Sequence, residues 1–452
     1  MSVNFLECDR ETPFLLPPSV EDWLPKGHLA RFVVEIVDQL DLRSIIVPYS
    51  GRGSQPHNPA MLVALLFYGY ATGVFSSRKL ERSTYDSVAF RYLAANQHPD
   101  HDTIANFRKR FLKELSSLFV QILSIAHEAG VLKLGNVSLD GSKVKANASK
   151  HKALSYEHAC KLKAQIKTEV EQLLQKAEAA DQTDVPDGLD IPAELERREE
   201  RLAAIQRAKA EMERRAAERY EREKASYEKK LAQREQRKEE TGKKPRGKQP
   251  KPPVAGPTAK DQVNLTDEDS RIMPTSGGGF EQAYNAQAAV DTVTKLIVSA
   301  HVTQDTNDKQ QVKPTLEQLG SLPQELGTVE NLITDSGFYS EANVNACERH
   351  QITPYIAMDR EQHNPALWDR FREPAPLPED ADPVSRMKHR LKTVAGKAIY
   401  ALRKATSEPV FGIIKTVMGF RSFHLRGFEA AQHEWTLVCM AWNIKRLHVL
   451  AK

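Results

Sequence analysis

The sequence predicts an α/β protein. A mixed sheet with helices on both faces follows an all-α region at 1–130 and is interrupted by a charged helical insertion at 151–260. Three observations carry this reading. Strand-like and helix-like runs alternate from residue 280 onward. Residues 1–130 hold only helical periodicity. A block of interleaved acidic and basic residues separates one early β-prone run, 134–147, from the later ones.

The chain of 452 residues is long enough for about two to three domains, each able to bury a core. Its 64 Lys+Arg against 60 Asp+Glu leave a net charge of +4. Bulk charge therefore does not announce a nucleic-acid partner, and local patches must reveal one. The opening MSVNFLECDRET holds acidic groups and no long apolar run, so no signal peptide is expected. No stretch approaches the ~18 apolar residues of a spanning helix, which gives a cytoplasmic expectation with no membrane partner. Cys8, Cys160, Cys347 and Cys439 are scattered without a CxxC, against a zinc ribbon or disulfide framework.

In chain order, Pro17, Pro18 and Ser19 precede a short helical stretch. A second begins near His28, with Leu29, Phe32, Val33, Ile36, Val37 and Leu40 spaced at three and four. Residues 59–72 are apolar nearly all round, which predicts burial. Amphipathic helices are expected at 76–95 and 102–130, the latter with Asp102 as N-cap and Gly130 as stop. After the β-prone run, 151–240 reads as a solvated helical hairpin with a thin seam of Leu195, Leu202 and Ile205, and 242–257 as a flexible basic linker. Strands follow at 280–291, 296–304, 330–337 and 353–358, with helices at 308–320 and 340–351. Helical segments close the order at 384–408 and 428–450, where Trp435 and Trp442, seven apart, read as core.

Three acids stand out. Asp140 ends an apolar run before Gly141, Asp335 ends another before Ser336 and Gly337, and Glu408 lies on or beside a helix. Alone, each Asp is a turn signal and Glu408 a capping or surface carboxylate. Together, at strand ends and on a covering helix, they could converge where α/β sheets bind ligands. Three packed carboxylates repel one another unless a hard cation such as Mg²⁺ joins them.

The segments LDGSKVKANASK (139–150), YNAQAAVD (284–291), ITDSGFYSEANV (333–344) and YALRKATSEPVFGIIK (400–415) resemble the DDE transposases of bacterial insertion sequences. The last is similar to that group's Tyr–Arg–Glu–Lys signature, carried by Tyr400, Arg403, Glu408 and Lys415, with one residue more than usual between Arg403 and Glu408. The resemblance covers nearly the whole chain outside 155–255. It implies an RNase H-like domain from 131–150 and 261–452, with Asp140 on the first strand, Asp335 on the fourth and Glu408 on a late helix.

The implied chemistry is cleavage of a DNA phosphodiester at the element's end, followed by in-line attack of the freed 3′-hydroxyl on target DNA. Asp140, Asp335 and Glu408 would hold two Mg²⁺ ions, with Mn²⁺ able to substitute. Lys415 and Arg403 would contact phosphate. Tyr400 would either position an end base or sit in the core, and Lys143 would either touch the DNA backbone or be solvated. The implied partner is double-stranded DNA, at element ends and target, bound by a homodimer. A protein that occupies ends without cutting, or a metal nuclease that cannot join strands, is the alternative. For end recognition the helix with Asn106, Arg108, Lys109 and Arg110, after one opened by Ser76, Ser77, Arg78 and Lys79, suits a helix-turn-helix-like reader. The alternative is a helical packing domain with exposed cations.

Overall fold

The computed structural model describes residues 19–49, 55–149, 152–180, 191–242, 247–275, 278–358 and 373–452. A 3₁₀ turn at Val20–Trp23, capped by Ser19, leads to α1 (Leu29–Asp38), α2 (Arg43–Ile46) and α3 (Pro59–Thr72). The last is buried from Met61 to Ala71, as its unbroken apolar sequence requires, and ends on Gly73 at φ 85°.

Both longer helices expected next are broken. Residues 76–95 form α4 (Ser77–Asp86) and α5 (Val88–Leu93), parted by Ser87 in extended conformation (φ −114°, ψ 124°). Asp and Ser side chains compete for backbone hydrogen bonds, so Asp86-Ser87 is a natural break. Residues 101–128 form α6 (His101–Arg110) and α7 (Leu112–Glu128), jointed at Phe111, whose ring is buried and stacks on Tyr49. The N-cap is Asp100 rather than Asp102, its carboxylate accepting from the Thr103 N–H. Gly130 ends α7 as expected, at φ 71°.

Then follow β1 (Leu134–Lys145), β2 (Ala153–Ser155), α8 (Tyr156–Ala180), α9 (Ile191–Thr241), β3 (Gln262–Asn264), β4 (Arg271–Pro274), β5 (Phe280–Asp291) and β6 (Ile297–Thr303). They are succeeded by α10 (Val312–Gly320), β7 (Gly327–Thr334), α11 (Glu341–Arg349), β8 (Thr353–Ile356), α12 (Pro383–Arg390), α13 (Val394–Ala401), α14 (Ser407–Thr416) and α15 (Phe428–Leu450). The short strands β2, β3 and β4 were not expected from periodicity. The short β4 pairs only with the start of β5; of the sheet's other strands in chain order, β1, β5, β6, β7 and β8, Asp335 follows the fourth.

The chain divides into two compact units. One comprises Met1–Val144, Asn285–Leu425 and Glu429–Lys452; the other comprises Lys145–Tyr284 and Arg426–Phe428. In the first, strands lie in the order β6–β5–β1–β7–β8. β5 and β6 are antiparallel, while β1, β7 and β8 are parallel, with Val137 opposite Leu332 and Ile333 opposite Tyr355. This mixed sheet carries helices on both faces, an RNase H-like α/β arrangement. Successive residues of β5 point to opposite faces, yet every one from Asn285 to Asp291 is buried, so both faces are covered. The helix α15 fastens to this sheet through polar groups as well as packing. Trp435 Nε1 donates to the Gln287 carbonyl (2.9 Å), Trp442 Nε1 to that of Lys295 (2.9 Å), and Asn443 bridges the N–H and C=O of Ile297 (2.8 Å each). The N-terminal helices hold the same α15: Tyr70 donates to Glu434 (2.9 Å), and Lys445 to the Ala71 carbonyl (3.0 Å).

In the second unit α8 and α9 share a core of Ala159, Ile166, Ile205, Ala208 and Met212, extended by Leu154 of β2 and Val263 of β3. Of the expected seam only Ile205 is fully buried. Small alanines, which periodicity counts overlook, let the helices approach. The β4 strand pairs antiparallel with the start of β5, Arg271 opposite Ala283. The linker expected at 242–257 lies partly outside the described residues; its 247–257 portion has no regular secondary structure. No single helix among the described residues is long and apolar enough to cross a membrane.

Candidate active site

The parallel register of β1 and β7 sets Ser138 beside Ile333. Two residues further along both strands, Asp140 comes beside Asp335. Asp335 stands one residue past β7, and its Oδ1 accepts from the Gly337 N–H (2.8 Å). Asp140 lies inside β1 rather than at its end, so Asp140-Gly141 is strand and not a turn. Burial pushes the Asp140 carboxyl up to about 6. The Gly141 N–H, donating at 2.8 Å, and Arg403 oppose this, while Asp335 and Asp308 add to it.

The third acid arrives by a different route. Ser407, the first residue of α14, places its hydroxyl 2.6 Å from that of Ser138, which seats the helix start on β1 two residues before Asp140. Glu408 follows, with its side chain 54% exposed and Oε1 3.4 Å from Nη2 of Arg403. Arg403 is only 15% exposed, and its buried Nε has no hydrogen-bond partner among the described residues. One guanidinium thus acts on both Asp140 and Glu408. Among the described residues no three Asp, Glu, His or Cys side chains stand close enough to hold a metal ion. Two of the acids, Asp140 and Glu408, share an arginine instead.

Lys415, further along α14, donates to the Ser142 hydroxyl and to the Lys143 carbonyl (3.1 Å). Burial pulls its ammonium below the ordinary lysine range, and Asp140 pulls it back. Lys143 is 20% exposed and stands 3.6 Å from Asp308, so it is ion-paired rather than freely solvated. Tyr400 is buried with Ile333, Tyr355 and Ala357 against β7 and β8, which places it in the core. In the N-terminal helices, Arg108 is 7% exposed and donates to Tyr70 Oη and the Phe75 carbonyl (3.1 and 2.9 Å). It fastens α6 to α3 instead of presenting a charge outward. Arg110 is exposed, although its Nη2 reaches the Pro48 carbonyl (3.1 Å) and its guanidinium covers Tyr49.

Sequence reading missed Asp308. Its Oδ1 accepts from Asn285 Nδ2 and Gln287 Nε2, both at 2.7 Å. Those two residues occupy alternate positions on β5, hence one face, and both are fully buried. Each turns its N–H to Asp308 and leaves its amide oxygen without a partner among the described residues. An unmet buried acceptor costs ~1–3 kcal/mol, an expense typical of functional sites. A trace of it was in the sequence: two amides at i and i+2, Asn285 and Gln287, alternating with alanines in a predicted strand. Gly141 makes the close approach possible, because a Cβ there would lie 2.2 Å from Gln287 Nε2 and 2.7 Å from Asp308 Oδ1.

Asp140 and Asp335 are donors of the type a hard divalent cation takes, while Glu408, turned to Arg403, does not complete a three-carboxylate set in this arrangement. The pair offers carboxylate oxygens, and Asp140 is raised first by burial and then by the like charges of Asp335 and Asp308, a cost that such an ion relieves.

A family model described as a transposase DDE domain matches residues 253–444, and one described as a transposase domain matches residues 18–110. The first stretch includes Asp308, Asp335, Arg403, Glu408 and Lys415; Asp140 precedes it. No curated protein and no solved structure matches the chain significantly.

Proposed function

We propose that this chain is a DDE transposase of an insertion sequence, acting on DNA with divalent metal ions, and that Asp140, Asp335 and Glu408 are its catalytic carboxylates. The observation that carries the assignment is the parallel register that sets Asp140 beside Asp335, with α14 seated on the same strand through Ser138 and Ser407. On this reading the enzyme cuts DNA at the element's ends and joins the 3′-hydroxyl to target DNA. It would do so in the cytoplasm and as a homodimer on double-stranded DNA. Two Mg²⁺ ions, or Mn²⁺ in their place, would activate the attacking oxygen and stabilise the leaving one.

The chain's own residues do the rest. Asp140 and Asp335 are preplaced by the sheet. Glu408 joins them by giving up Arg403, which frees the guanidinium to contact phosphate. Lys415, fixed by Ser142, offers an ammonium beside Asp140, and Lys143 adds a second cation positioned by Asp308. Tyr400 acts from the core by holding β7 and β8 behind Asp335. Arg110, exposed on α6, is the remaining DNA contact of the N-terminal helices; Arg108 supports it from within.

Strand transfer with pre-cut ends tests the assignment. Asp335→Ala should lose joining while still binding the ends, and normal joining by this variant overturns the site. Asp308→Ala removes the acceptor that holds Asn285, Gln287 and Lys143 together. It is expected to lower the joining rate ~10–100-fold, as loss of an outer partner of a metal site does, and to raise the Mg²⁺ concentration needed for half-maximal rate. An unchanged Mg²⁺ titration would remove Asp308 from the site.

A further inference from the structure

The second unit carries a feature that the catalytic reading does not use. Along the first part of α9 the charges are paired internally, as in Arg198 with Glu194 and Glu169, and Arg214 with Glu211 and Glu218. Beyond Arg219 no further ion pair forms on this helix among the described residues. A cavity of about 720 Å³ opens between the distal half of α9 and the irregular segment 248–258. Its lining brings together Arg219, Lys230, Arg234, Arg237, Lys248 and Lys251, with Glu223 as the one acid.

Two of these cations hold the walls together. Arg219 pairs with Asp261 at 2.9 Å, and Arg234 donates to the carbonyls of Lys248 (3.1 Å) and Gly247 (3.2 Å). The other four, Lys230, Arg237, Lys248 and Lys251, are exposed and have no ion-pair partner among the described residues. Like charges facing one another across a groove repel, and a polyanion removes that cost. The basic side chains on the helix run from Arg219 to Arg237, ~27 Å at 1.5 Å per residue, and the last three, Lys230, Arg234 and Arg237, are spaced by four and three. A row of that length matches several successive phosphates of a duplex better than one small anion. Lysine-rich walls read charge and not base identity.

We propose that this groove seats the phosphodiester backbone of duplex DNA, independently of sequence, as a second contact beyond the DNA being cut. The inference rests on the chain acting on DNA and not on the carboxylate assignment.

The test uses the full chain and a duplex of about 40 base pairs of arbitrary sequence, with affinity measured from ~50 to ~300 mM salt. Lys230→Gln/Arg237→Gln/Lys251→Gln should flatten the slope of log K against log salt by ~2–3, about 0.9 per lost phosphate contact. Arg201→Gln/Arg207→Gln/Arg222→Gln removes as many exposed cations from α9 outside the groove and should change the slope by less than ~1. Lys248→Gln/Lys251→Gln leaves the helix untouched and should flatten it by nearly ~2. The same losses should appear in an Asp335→Ala background, which separates this site from the catalytic one. Equal slopes for groove and control variants would overturn the proposal, as would a loss seen with an RNA duplex and not with DNA.

Discussion

Asp140→Asn is expected to abolish cleavage and joining, by on the order of 10³-fold or more, and at the same time to make the metal-free protein harder to unfold. Both effects have one cause. Burial and the neighbouring Asp335 and Asp308 raise the folded-state pKa of Asp140 to about 6 from an ordinary 3.8. Between those values the native chain keeps a proton that the unfolded chain has lost. Stability of the metal-free protein therefore falls as pH rises from about 4 through about 6, and stays reduced above it. At neutral pH the ionised carboxylate costs the fold roughly 1–3 kcal/mol. Asparagine keeps the shape without the charge, so its unfolding midpoint in chelator should rise by a few degrees, ~2–6 °C, and its pH dependence should flatten. Mg²⁺ should raise the midpoint of the wild type and leave that of the variant nearly still. A variant less stable than wild type at neutral pH in chelator would mean that Asp140 is a structural carboxylate.

The second large effect is expected at Gly141. Alanine there would place a methyl group against Gln287 and Asp308, neither of which can retreat easily: Gln287 is fully buried and Asp308 is held by two amides and a lysine. We expect a loss of ~1–3 kcal/mol in stability from overpacking, and a fall in joining rate of at least ~10²-fold as the strand beside Asp140 shifts. Gly135→Ala is the matched control, since it lies on the same β1 strand where an added Cβ meets nothing within 4 Å. It should be nearly silent in both measurements. If the two alanines behaved alike, the effect would belong to the strand and not to the contact.

Elements with a single strong signal were legible in the sequence. The helix 59–72 announced itself by being apolar all round, and strand 280–291 by its length and boundaries. What failed were joints. Ser87 and Phe111 interrupt long amphipathic patterns, the one through extended backbone and the other through a buried ring, and periodicity carries no record of either. At the site, individual acids could be picked out by motif, but not their company. Nothing in the spacing of Arg403 and Glu408 shows that one guanidinium serves two carboxylates, because that depends on how α14 is hung on β1. Asp308 itself carried no motif, since its partners lie 21 and 23 residues away on β5; only their amides at i and i+2 hinted at it.

The helix α15 ties the earliest helices, through Tyr70 and Ala71, to strand β5, through Gln287. That arrangement sets an order of assembly during translation. While the ribosome is still adding residues 428–450, neither the N-terminal helices nor the sheet has its shared support. The nascent enzyme is thus withheld from action until this late segment emerges, at ~5–20 residues per second.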